Sequence, residues 1–150
     1  MRVIVQRVKH ASVTVDNKIT GEIKQGLLVL VGFEPDDTNE DFEWITKKIT
    51  QLRIFNDENN VMNLDLNQVD GQLLVVSQFT LHASTKKGNR PSYIKASKPD
   101  VALEQYNQFL DVLKVSHNKE IQTGIFGADM KVELLNDGPV TIFIDSKNKE

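Results

Sequence analysis

Apolar residues recur along this chain at two spacings: every second position in several short runs, and every third or fourth position in two longer ones. Arg2 to Val8 shows the first spacing, with Val3, Val5 and Arg7 on one face of a strand and Ile4, Gln6 and Val8 on the other. Ala11 to Val15 alternates small or apolar with polar residues and predicts a half-buried strand. Asp16-Asn17-Lys18 predicts a hairpin turn into a strand from Ile19 to Ile23. Gly26 opens Leu27-Leu28-Val29-Leu30-Val31, which is apolar on both sides and predicts a central strand covered on both faces. Gln72 to Phe79 predicts another strand, too apolar from Leu73 to Val76 for an exposed face. Towards the C-terminus the pattern predicts strands near Gln122–Phe126, Lys131–Leu135 and Val140–Ile144. Asp137-Gly138-Pro139 reads as a turn between the last two, and Ser146 to Glu150 as a polar, frayed tail.

The second spacing predicts two helices. Phe42, Ile45, Ile49 and Leu52 form a core-facing stripe after the loop Glu34-Pro35-Asp36-Asp37. Thr38 or Asn39 caps that helix, and Asp41 and Glu43 sit near its positive end. Ala102, Tyr106, Phe109, Leu110 and Leu113 form the buried stripe of a second helix from about Pro99 to Val115. Pro99 is tolerated in the first turn, where a missing N–H costs little. Many strands and two main helices, without regular strand–helix alternation, predict an α+β fold: one domain over 1–150 with a largely antiparallel, barrel-like sheet.

Composition narrows the chemistry. A chain of 150 residues buries roughly 68–70% of its unfolded surface, enough for a core without staples. It has no cysteine, and His10, His82 and His117 lack ligand spacing, so neither a metal nor a cofactor is expected. The N-terminus turns polar too soon for a signal peptide, and Leu27 to Val31 is too short to span a bilayer. A soluble, cytoplasmic protein is expected, without a membrane partner. The net charge of −3 is unevenly placed: Ala83 to Pro99 holds Lys86, Lys87, Arg90, Lys95 and Lys98 and no acid. Such a loop, punctuated by Gly88 and Pro91, either tracks a phosphate backbone or is merely solvated.

Three segments carry candidate chemistry. In Ser77-Gln78-Phe79-Thr80-Leu81-His82 an apolar strand runs out into hydroxyl and amide groups. These either meet a ligand or satisfy backbone groups at the strand end. His82 could act as a base, although a lone histidine is more often structural. Gln122 to Met130 has Gly124 and Gly127 flanking Phe126, which either stacks on a base or joins the core. Asn136-Asp137-Gly138-Pro139-Val140-Thr141 reads as a turn whose Gly-Pro bond is trans on local grounds.

Taken together, these segments resemble the D-aminoacyl-tRNA deacylase family. The similarity runs in order through Val5-Gln6-Arg7-Val8, Ala11 to Val15, Thr20-Gly21-Glu22-Ile23, Gly26 to Leu30, Arg53-Ile54-Phe55 and Met62-Asn63-Leu64. It continues through Ser77-Gln78-Phe79-Thr80-Leu81, Arg90-Pro91-Ser92, Thr123-Gly124 to Phe126, Ala128-Asp129-Met130 and Asn136 to Thr141. The resemblance implies a homodimer with active sites at the subunit interface. It implies hydrolysis of the ester between a D-amino acid and the terminal adenosine of tRNA, and of glycine mischarged on tRNA-Ala. No DNA partner is expected. Gly138-Pro139 would be cis and would reach into the partner's site as a wall that rejects L-amino acids, with Arg7 holding it. Phe126 and Met130 would contact the adenosine, and Lys86, Lys87 and Arg90 the tRNA. Ser77, Gln78, Phe79 and Thr80 would be catalytic. Either Thr80 attacks the ester, or N–H groups near Phe79 and Thr80 form an oxyanion hole while the RNA 2′-hydroxyl helps water; the second is preferred. An RNA-binding module without turnover and a general hydrolase of D-amino-acid esters are the rival readings.

Overall fold

The structure, a computed structural model, describes residues 1–150. Its sheet is organised around β1 (Arg2–Val15), one long strand where the sequence pattern predicts two. Lys9 and His10 are exposed and break the alternation, yet the ladder continues past them. β2 (Lys18–Ile23) returns antiparallel along the second half of β1, and β3 (Gly26–Gly32) along the first half. The turn between β1 and β2 places Asp16 and Asn17 at positive φ, which these residues tolerate.

α1 (Asn39–Gln51) is capped by Thr38, whose N–H donates to Asp41 Oδ2 at 2.9 Å. After it β4 (Phe55–Asn56) and β5 (Met62–Leu64) form a small hairpin that the sequence pattern does not reveal. β6 (Gln72–Ser77) pairs parallel with β3, ends two residues before the predicted boundary and passes into a 3-10 turn, Phe79–His82. α2 (Pro99–Ser116) begins with Pro99 in its first turn. β7 (Ile121–Thr123), shorter than predicted, pairs parallel with β6. β8 (Lys131–Asp145) is again one strand rather than two, antiparallel to β1 along nearly its whole length.

The main sheet is therefore mixed: every ladder of β1 is antiparallel, whereas both ladders of β6 are parallel. Its order β2-β1-β3-β6-β7 nearly closes on itself, because Gly21 of β2 lies so close to Thr123 of β7 that a Cβ would collide with it. Two apolar clusters explain why β3 is apolar on both sides. Leu27, Val29 and Val31 face the helices with Phe42, Ile45, Ile49, Phe109 and Leu113. Leu28 faces the barrel interior with Val8, Val13, Leu74 and Val76.

The start of the tail is not frayed as predicted. Ser146 is buried, its N–H donates to Met1 O at 3.0 Å, and its hydroxyl accepts from the Met1 ammonium at 2.8 Å. Lys147 Nζ reaches Asp41 Oδ2 at 3.1 Å.

Candidate functional site

The end of β6 builds one half of the site. Gln78 N–H donates to Val31 O at 2.7 Å, which holds the chain against β3 before it turns. Leu81 N–H then returns to Gln78 O at 3.2 Å. The first N–H groups of the turn, those of Phe79 and Thr80, thus have no partner within it. Gln78 Nε2 donates to Thr80 Oγ1 at 2.6 Å. His82 makes no hydrogen bond to Thr80: it is 1% exposed, with Nδ1 at 3.6 Å from Glu34 Oε1.

A cavity of about 830 Å³ opens beside this turn. Ser77, Gln78, Phe79, Phe126 and Met130 all line it, so the structure brings these five predicted residues together. Thr80 adjoins through its bond with Gln78. Phe126 packs on one side against Tyr106, ring centroids 5.8 Å apart, and also lines the cavity. Met130 lies against Gly124, where a Cβ would meet its sulfur. Phe79 is 54% exposed and meets Tyr93 edge-on at 5.0 Å between centroids. Tyr93, Ser97 and Ala102 also line the cavity. Sequence reasoning misses them as site residues, because Tyr93 and Ser97 lie in an unpatterned segment and Ala102 reads as core.

Arg7, Gly138 and Pro139 form a separate group that does not line this cavity. Along the ladder of β1 with β8, Gln6 pairs with Thr141 and Val8 with Asn136. Residues 137 to 140 therefore bulge out opposite Arg7 alone, where the sequence suggests a turn between two strands. The Gly138-Pro139 bond is cis, contrary to the local expectation. Arg7, 7% exposed, sits beneath the bulge: Nε donates to Asp137 O at 3.0 Å, and Nη1 to Ile54 O. Gly138 has φ +128, and a Cβ there would lie 2.8 Å from Arg7 Nη2, so both conformation and space favour glycine.

Lys86, Lys87 and Arg90 lie exposed in a loop closed by the bridge between Ser84 and Ser92, and none of the three forms an ion pair. One acidic group escapes the sequence reading: Glu34, Asp36 and Asp37 place carboxylate oxygens within 4.8 Å of one another. The protein's own cations already face it, since the Met1 ammonium bonds Asp37 and Lys147 Nζ lies 3.7 Å from both Asp36 and Asp37. No helix is long and apolar enough to cross a membrane.

The family model for D-Tyr-tRNA(Tyr) deacylase matches residues 4–145. The chain is 65% identical to a D-aminoacyl-tRNA deacylase of Flavobacterium johnsoniae over 150 residues, and 63% identical to one of Parabacteroides distasonis; both alignments cover 100% of each chain. It resembles the solved structure of a c-Myc DNA unwinding element binding protein, with a TM-score of 0.92 and 39% identity over 97% of this chain and 98% of that one. A probable eukaryotic D-amino acid tRNA deacylase has the same fold, with a TM-score of 0.79 over 95% of this chain and 97% of that one at 18% identity.

Proposed function

The chain belongs to the D-Tyr-tRNA(Tyr) deacylase family, and from that premise we propose that it hydrolyses the ester joining a D-amino acid to the terminal adenosine of tRNA. The observation that carries this reading is the cavity itself. Phe79, whose backbone N–H has no partner in its turn, lines it together with Phe126 and Met130, which offer apolar walls for a base. Water adds to the ester carbonyl, and the N–H groups of Phe79 and Thr80 receive the charge that develops on its oxygen. The bond to the ribose oxygen then breaks, and that oxygen takes up a proton as tRNA departs. The RNA 2′-hydroxyl orients the water, while Ser77 and Gln78 position the ester. Thr80 is a poor nucleophile, because its hydroxyl is held by the Gln78 amide and bonds no histidine or carboxylate.

Chiral selection falls to Gly138 and Pro139. They do not line their own subunit's cavity, so in this reading they serve the partner's. β8 pairs only with β1, and it leaves Leu135 and Phe143 52% and 57% exposed, a surface suited to an isologous dimer contact. The Gly138 and Pro139 carbonyls would accept from the substrate ammonium, and the backbone there would exclude an L side chain. Glycine has no side chain to exclude, so glycine mischarged on tRNA-Ala is a substrate too. Lys86, Lys87 and Arg90 contact the tRNA, and the protein works in the cytoplasm, where translation supplies its substrate.

The test is release of the amino acid from D-tyrosyl-tRNA, beside L-tyrosyl-tRNA and a small D-tyrosine ester. Rapid release from the first alone supports the reading. Turnover of the small ester at an equal rate would make it a general esterase, and binding without release an RNA-binding module. Duplex DNA as competitor probes the expectation that DNA is no partner.

A further inference from the structure

The 3-10 turn that carries the Phe79 and Thr80 N–H groups does not stand alone. It rests on a row of three residues crossing the end of the sheet: Arg2 of β1 pairs with Gly32 of β3 on one side and with Asp145 of β8 on the other. Gly32 lets the turn settle directly on the sheet. A Cβ there would lie 2.7 Å from Gln78 O and 3.1 Å from His82 Cδ2. Arg2 then ties the turn down. Its Nη1 donates to Leu81 O at 3.1 Å, and its Nε donates to Asp145 Oδ2 at 2.8 Å. One planar fork thus spans two elements far apart in sequence, a geometry that a lysine ammonium does not reproduce.

Asp145 is the anchor of this brace. It is buried, and Lys147 N–H donates to its Oδ1 at 2.9 Å. Burial alone would raise its carboxyl, but the Arg2 guanidinium and the Lys147 N–H hold it below the ordinary carboxylate range. A fixed charge on Asp145 fixes the guanidinium, and the guanidinium fixes the Leu81 carbonyl. Leu81 directly follows Thr80 in the same turn, so holding its carbonyl restrains the segment that carries the Thr80 N–H.

We propose that Arg2 is a positioning residue for the deacylation reaction: by bridging Asp145 to the Leu81 carbonyl it holds the turn whose N–H groups meet the ester oxygen. This rests on the deacylase reading above. Arg2 does not line the cavity. Loosening the turn raises the barrier to the step in which charge appears on that oxygen and leaves the grip on tRNA untouched, so kcat falls while KM holds.

The experiment measures kcat and KM for D-tyrosyl-tRNA with the wild type, Arg2→Lys, Arg2→Ala and Lys147→Ala, together with each protein's melting temperature. Lys147→Ala breaks the side-chain contact with Asp41 and keeps the backbone N–H that Lys147 gives to Asp145. Both Arg2 variants should lose about tenfold or more in kcat, with KM within about twofold, and amide exchange at His82 and Ala83 should quicken. Lys147→Ala should keep its kcat whatever its melting temperature. An unchanged kcat in Arg2→Lys and Arg2→Ala beside an active wild type overturns the proposal alone. So does a Lys147→Ala variant that loses as much kcat as they do, since the effect would then be general destabilisation. A wild type that releases nothing from D-tyrosyl-tRNA overturns the deacylase reading itself.

Discussion

At the scale of single residues, two side chains carry the sharpest expectations. Thr80 Oγ1 contributes one hydrogen bond, from Gln78. Thr80→Ala should therefore keep single-turnover deacylation within about tenfold of wild type, the worth of a bond of ~1 kcal/mol. Rapid-quench measurement on D-tyrosyl-tRNA checks this, and a trapped acyl-threonine would reverse the assignment. Arg7 supports the bulge through its bond to Asp137 O and is itself held by Ile54 O. In Arg7→Ala the ratio of D- to L-tyrosyl-tRNA hydrolysis is expected to fall about tenfold, more than the D-rate alone falls. If both rates drop together at a constant ratio, the bulge does not select handedness. The roles proposed for both residues rest on resemblance, because a buried arginine and a strand-end threonine have ordinary structural explanations in sequence.

Among elements, legibility followed local pattern. The stripes of α1 and α2 and the two-sided burial of β3 could be read directly, since each is a periodicity that the element alone imposes. β1 and β8 could not be read as single strands. Lys9-His10 and Asp137-Gly138-Pro139 look like interruptions, and only the pairing of β1 with β8 shows one as continuous ladder and the other as bulge. The clasp between tail and α1 was equally hidden, because it joins residues at opposite ends of the chain. It has a pH signature. Burial opposes ionisation of Asp41, but hydrogen bonds from Ser146, Thr38 and Lys147 outweigh it and hold the carboxyl far below its usual range. A carboxyl so lowered contributes its full stability above its unfolded value of about 4 and loses it as pH falls towards the folded one. Asp41→Asn should melt lower than wild type at pH 7, with the gap closing on acidification below about pH 4; a constant gap would place the stabilisation elsewhere. The basic loop makes a separate prediction. Neutralising Lys86, Lys87 and Arg90 together should reduce the log–log salt slope of tRNA binding by roughly 2. An unchanged slope would mark the loop as solvated surface.

For the whole molecule, the decisive fact is that the bulge at Gly138-Pro139 and the cavity beside Phe79 belong to different places on one subunit. Light scattering is expected to give twice the mass of one chain. Replacing the exposed Leu135 and Phe143 by aspartate should yield monomers that have lost D-selective hydrolysis; monomers with full activity would rule out a shared site. That separation has a genetic corollary. Consider two inactive alleles, one with its cavity blocked at Ala102 and the other with its bulge disabled at Gly138. Neither homodimer is expected to work. If the site is shared as proposed, in a mixed dimer both lesions fall on one site, and the other site inherits an intact cavity from one parent and an intact bulge from the other. Co-expression of the two should restore a single competent centre per pair, so defects at these positions would complement one another in a cell carrying both.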